Sequence, residues 1–126
     1  MKKKSLCVAL SASLFLTGCT TTITNLTAST QKRSPNGLYP VEVEFDNHEQ
    51  RIKEDTLQPY VLVGAQTFPM QHTLMLKNRW EAVVPVPGNV EYVNYRFKFN
   101  YDTRSVGKPV PGSKLSGPFQ FQILDK

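Results

Sequence analysis

In Val93-Asn94-Tyr95-Arg96-Phe97-Lys98-Phe99-Asn100-Tyr101, apolar and polar residues alternate without interruption. Successive side chains of a strand point to opposite faces, so Val93, Tyr95, Phe97, Phe99 and Tyr101 line one side. Asn94, Arg96, Lys98 and Asn100 line the other. The same period of two recurs where Tyr39, Val41, Val43 and Phe45 alternate with Glu42, Glu44 and Asp46, and where Phe119, Phe121 and Ile123 alternate with Gln120 and Gln122. Tyr60 to Gly64 is a compact apolar run suited to an interior strand. Phe68-Pro69-Met70 and Leu74-Met75-Leu76 read as short pieces, with Pro69 confining its strand to an edge or bend. Trp80 to Val86 alternates again until Pro85 and Pro87-Gly88 break it.

Nowhere do apolar residues recur at helical spacing over three turns. Nine prolines and seven glycines punctuate the chain into about seven short strands. A single sheet would leave one apolar face wet, so the pattern predicts two packed sheets, an all-β sandwich of immunoglobulin-like type. The folded domain is expected over 36–126, opened by the turn signal Pro35-Asn36-Gly37. Residues 19–35 are rich in Thr, Ser and Asn and read as a solvated tether. Within it, Ile23-Thr24-Asn25-Leu26-Thr27 reads either as tether or as a short first strand. Asn47 to Thr56 is polar and charged, and is expected as a loop or frayed hairpin.

The amino-terminal segment carries a different message. Lys2, Lys3 and Lys4 precede an apolar run from Leu6 to Leu16, and Leu16-Thr17-Gly18-Cys19 follows. The run is too short to span a bilayer as a stable helix and has the layout of a signal peptide. Leu16-Thr17-Gly18-Cys19 resembles the lipobox of bacterial lipoproteins. That resemblance implies cleavage after residue 18 and acylation of Cys19, with palmitate among the attached chains, and more than one chain anchors a protein stably. Thr20 stands where an aspartate is associated with inner-membrane retention, so the expected location is the outer membrane. The alternative is an ordinary secretory signal cut elsewhere.

Of the 15 Lys and Arg, three lie in residues 1–18; the remaining 108 residues carry 12 basic and 10 acidic side chains. That near-balance argues against a nucleic-acid partner. Cys7 is lost with the signal and Cys19 is used for lipid, which leaves no cysteine pair for a disulfide.

Pro69-Met70, Asn78-Arg79-Trp80-Glu81, Val84-Pro85-Val86-Pro87-Gly88 and Tyr92-Val93-Asn94-Tyr95-Arg96-Phe97-Lys98-Phe99 follow one another in an order that resembles the early-set immunoglobulin-like domains. Some members of that group bind glycogen or starch, so the resemblance implies the fold and raises a glycan-binding surface module as an alternative function. Those members present a second exposed Trp, whereas this chain has only Trp80, which is expected in the core.

Chemistry-bearing residues are sparse. His48 and His72 are the only histidines, both in polar stretches, and no set of His and Cys has metal-ligand spacing. His48 beside Asp46 and Glu49 reads as a solvated loop. Glu42 and Glu44 are about 7 Å apart by strand rise, within the range of acid–base pairs, but alternate with apolar residues as a water-facing surface does. No phosphate loop or Gly-x-Ser-x-Gly elbow occurs. Neither enzymatic activity nor a cofactor other than the lipid on Cys19 is expected.

Partner binding is the remaining class. Arg96 and Lys98, with Asn94, form a polar stripe suited to an acidic partner, or else pair internally with Glu42 or Glu44. Gly107-Lys108-Pro109-Val110-Pro111-Gly112 reads as a proline-stiffened loop whose Lys108 adds a basic flank for protein contacts or merely covers a sheet edge. The expected function is a non-enzymatic subunit of an envelope assembly, such as a secretion or surface-fibre apparatus. Cys19→Ala is expected to leave the precursor uncleaved and unlabelled by palmitate analogues in cells; labelling equal to the unmodified chain would refute the lipobox reading.

Overall fold

The computed structural model describes residues 20–126; the expected signal segment, residues 1–18, and Cys19 lie outside them. Ten strands form two sheets: β1 (Thr22–Asn25), β2 (Thr30–Lys32), β3 (Leu38–Asp46), β4 (Ile52–Val63), β5 (Gln66–Pro69), β6 (Gln71–His72), β7 (Arg79–Pro85), β8 (Tyr92–Thr103), β9 (Val110–Leu115) and β10 (Phe119–Leu124). The smaller sheet runs β1-β3-β7-β6. The larger runs β2-β10-β8-β4-β5, with β9 also paired to β8. All pairings are antiparallel except β2 with β10. With β2, β5 and β9 set aside as edge additions, seven strands remain. Their order is first-second-fifth-fourth in one sheet and seventh-sixth-third in the other, the connectivity of an immunoglobulin sandwich.

β8 occupies the centre of the larger sheet. Its inward residues Val93, Tyr95, Phe97, Phe99 and Tyr101 are all buried, each contributing about 1.5–3 kcal/mol by leaving water. They meet Tyr39, Val41, Val43, Phe45 and Val84 from the smaller sheet in one core. The Phe45 and Phe99 rings stack across the interface at 4.3 Å between centroids. Buried hydroxyls find partners: the Tyr95 hydroxyl accepts a hydrogen bond from Asn25 Nδ2 at 2.8 Å, and that of Tyr39 accepts one from the Ser34 N–H at 2.9 Å.

Several expectations are corrected. Of the two readings of Ile23 to Thr27 the strand holds, as β1, while β2 makes the rest of 20–35 less a tether than expected. Polar edge strands need only one packed face, and Ile23 with Asn25 supplies it. Strand structure begins at Ile52, inside the expected 47–56 loop, because Ile52 is itself a core residue. Val110 to Leu115 is a strand and not part of a long loop, since β8 is long enough to offer it an edge. Leu74-Met75-Leu76 is a loop, closed by the Thr73 N–H on the Arg79 carbonyl at 2.9 Å.

Where the ladders break, hydroxyls fill the gaps. The register of β4 against β8 shifts between Lys53 and Gln58. There the Thr56 hydroxyl accepts from the Asp102 N–H at 2.8 Å and donates to the Lys53 carbonyl at 2.6 Å. Between β9 and β10, Ser116 is buried, and its hydroxyl accepts from the Phe97 N–H at 2.8 Å while donating to the Gly117 carbonyl at 2.9 Å. Gly112 pairs with Tyr101, whose ring lies over it; a Cβ at 112 would fall 2.7 Å from Tyr101 Cε2, so a glycine is required.

Ser116→Ala would strip the Phe97 N–H of its partner inside the core. The expected loss is about 1–3 kcal/mol, the penalty for an unsatisfied buried donor, measured by urea unfolding. An unchanged midpoint would show that the Phe97 N–H has no need of this hydroxyl.

Candidate interaction surface

The alternation that buries one side of β8 sends Asn94, Arg96, Lys98 and Asn100 to the outer face of the larger sheet. Register then decides their neighbours. Leu62 of β4 stands beside Arg96, and Tyr60 beside Lys98, with Leu115 of β9 on its other flank. Leu115 is 53% exposed, and Tyr92, earlier on the same face of β8, is 48% exposed. The two cations therefore sit at the middle of a sheet face beside the half-buried Tyr60 and Leu62 and the exposed Leu115.

Ion pairs among the described residues join Arg33 to Asp125, His48 to Asp46 and Lys114 to Glu49; Arg96 and Lys98 enter none of them. The internal pairing with Glu42 or Glu44 is not realised. Those carboxylates project from the outer face of the smaller sheet, the full thickness of the sandwich away. Glu42 stands directly opposite Glu81 there, and Glu44 opposite Arg79. The two outer faces thus differ in charge character, acidic on one sheet and basic on the other.

The other expected contact residues are only partly gathered. Asn94 accepts a hydrogen bond from Gln120 Nε2 at 2.9 Å, so it braces β10 against β8. Lys108 lies in the β8–β9 loop beyond Thr103, which is seven residues along β8 from Arg96, roughly 23 Å at strand rise. It belongs to the end of the sandwich and not to the face. Tyr60, Leu62 and Leu115 were missed by sequence reasoning. Their placement beside the cations depends on register between strands far apart in sequence, and no local pattern carries it.

Trp80 sits on the inward side of β7 at the margin of the core. It is half-buried, edge-to-face with His72 at 4.9 Å, and its Nε1 is buried without a hydrogen-bond partner. An indole turned inward offers no platform to a sugar ring. On the outer face, Tyr60 and Tyr92 stand about 20 Å apart along the strands, because Tyr60 pairs with Lys98; they do not form an aromatic pair. His48 is exposed, with Nε2 3.1 Å from Asp46 Oδ2, and among the described residues no group of three His, Cys, Asp or Glu is placed to hold a metal ion. At the opposite end from His48, Arg33 is bonded to Asp125 and also donates to the carbonyls of Gly88 and Val90. The bond to Asp125 raises the guanidinium pKa above its already high ordinary value.

The molecule is thus an all-β, immunoglobulin-like sandwich with a cation-bearing sheet face. No protein family matches the chain, and no curated protein matches it. Among solved structures it is similar to murine CRIg, with 9% sequence identity and a TM-score of 0.42, over 82% of this chain and 98% of that one.

Trp80→Ala is expected to lower stability by about 3 kcal/mol, the low end for truncating a large aromatic because the ring is only half-buried. A thermal melt together with a polysaccharide-binding assay checks this. An unchanged melting temperature with lost polysaccharide affinity would make Trp80 a sugar platform instead.

Proposed function

We propose that this protein is a non-enzymatic lipoprotein, held in the outer membrane through acyl chains on Cys19. It serves an envelope-associated assembly by meeting a protein partner through the outer face of its larger sheet. The observation that carries the reading is the placement of Arg96 and Lys98. They lie side by side at the sheet centre, without ion-pair partners among the described residues, and flanked by Tyr60, Leu62 and Leu115. Arg and Tyr are enriched where proteins meet, and a sheet face that mixes them with partly exposed aliphatic side chains has the composition of a contact surface. An acidic surface would complement it.

The lipobox-like Leu16-Thr17-Gly18-Cys19 supports the anchor. The scarcity of nucleophiles, bases and metal ligands favours binding over catalysis. A rigid face on paired strands also suits recognition, because little conformational entropy is lost when it docks.

Reversing both charges, Arg96→Glu with Lys98→Glu, tests the reading. The inward stripe is untouched, so stability is expected to stay within about 0.5 kcal/mol. Pull-down from mild-detergent extracts through a tag at Lys126 should then lose a partner that the unmodified chain captures. The difference should narrow at high ionic strength, where charge contacts are screened. An unchanged set of captured proteins at low salt would contradict the proposed face.

A further inference from the structure

The strand directions bring four features to one end of the sandwich. Thr22 pairs with Asp46, so the amino-terminal segment emerges at the end where β3 finishes. Glu44 pairs with Arg79, which places the β6–β7 loop, residues 73–78, at that same end. Ile52 and Val110 both pair with Thr103, so the β3–β4 and β8–β9 loops lie there too. The side chains agree: the Thr21 hydroxyl is 3.4 Å from Asn47 Oδ1, and Asn47 shares a cavity wall with Lys77.

The β6–β7 loop is unusual for a surface bathed in water. Leu74 is 86% exposed, Met75 wholly exposed and Leu76 43% exposed. Met75 also has φ +63°, a left-handed conformation uncommon for a residue with a side chain. The backbone thus stores strain while holding three consecutive apolar side chains outward. The neighbouring β8–β9 loop repeats the feature with Val106, also wholly exposed, between the cations Arg104 and Lys108.

The reach of the chain then limits where this end can be. β1 begins at Thr22, three residues after Cys19, and three residues span at most about 10 Å. An acyl-bearing Cys19 at the bilayer surface holds the start of β1 within that distance of it.

We propose that this end of the sandwich rests on the bilayer, with Leu74, Met75 and Leu76 entering the boundary between headgroups and acyl chains. Lys77, Arg104 and Lys108 sit at headgroup height, where phosphates accept them. The proposal rests on the lipidation reading above. The loop works as a second, non-covalent contact that fixes the tilt of the domain on its short tether. The strands then rise from the membrane, and the outer face of the larger sheet is turned sideways toward a partner.

The test uses the full chain isolated from membranes and bound to vesicles of phosphatidylethanolamine and phosphatidylglycerol. One preparation carries a nitroxide at Met75→Cys and another at Ala65→Cys, an exposed turn at the opposite end. Oxygen, concentrated in lipid, should relax the label at 75 several-fold more effectively than an aqueous nickel chelate, with the order reversed at 65. A chain that floats with the vesicles while both labels report water overturns the proposal and leaves the anchor intact. A chain that does not float, and takes up label at Cys19 as well, overturns the lipidation reading and this proposal with it. A label at 75 shielded from both reagents in native membranes would assign the loop to a polypeptide partner and also overturn it.

Discussion

Everything in this molecule is arranged around β8. It is bonded along one edge to β4 and along the other to β10 and then β9, so the larger sheet is assembled on a single continuous strand. Its inward stripe supplies five core side chains. Because a one-residue slip would put Phe97 and Phe99 in water and Arg96 and Lys98 in the core, the register is held strongly. The breaks in the partner strands respect that constraint. Thr56 and Ser116 restore with hydroxyls the hydrogen bonds that a bulge and a strand interruption would otherwise leave unmade. Phe97 lies at the point where β9 gives way to β10, and its N–H is satisfied there by the Ser116 hydroxyl.

The same constraint ties stability to recognition. A strand that commits one side wholly to the core leaves the other side free to vary, since its residues take no part in packing between the sheets. In β8 those residues are Tyr92, two cations, two asparagines and Asp102. Asn94 is engaged by Gln120, while Arg96 and Lys98 stand among Tyr60, Leu62 and Leu115. Glu42 and Glu44 project from the other sheet, and Asp102, four residues beyond Lys98 on the same face, forms no ion pair with either cation. A sandwich with opposite charge character on its two outer faces keeps each available to something outside itself.

The class of fold was legible because the period of two in Val93 to Tyr101, Tyr39 to Phe45 and Phe119 to Ile123 follows directly from strand geometry. Short polar edges were less so. Ile23 to Thr27 reads equally as tether or strand, and Thr30 to Lys32 lacks the apolar content that marks a strand; their pairing depends on β3 and β10, further along the chain. Val110 to Leu115 was hidden by Pro111 and Gly112, residues that usually interrupt strands. Here Gly112 is required beneath the Tyr101 ring. Of the contact surface, Arg96 and Lys98 were legible from local alternation, but their apolar neighbours came only with register, and Lys108 proved to lie at the end of the sandwich. Leu74-Met75-Leu76 shows the limit of hydrophobicity as a guide. It reads as a short piece of strand, yet the hairpin hydrogen bond from the Thr73 N–H to the Arg79 carbonyl closes it into an exposed loop.

The central claim is that the outer face of the larger sheet, and not that of the smaller, meets a polypeptide. A photo-cross-linking residue placed at position 98 or at position 42, one on each face, tests this in intact cells. The account predicts a discrete protein adduct from position 98 and none from position 42. Adducts from position 42 with none from position 98, or adducts from neither, would contradict it.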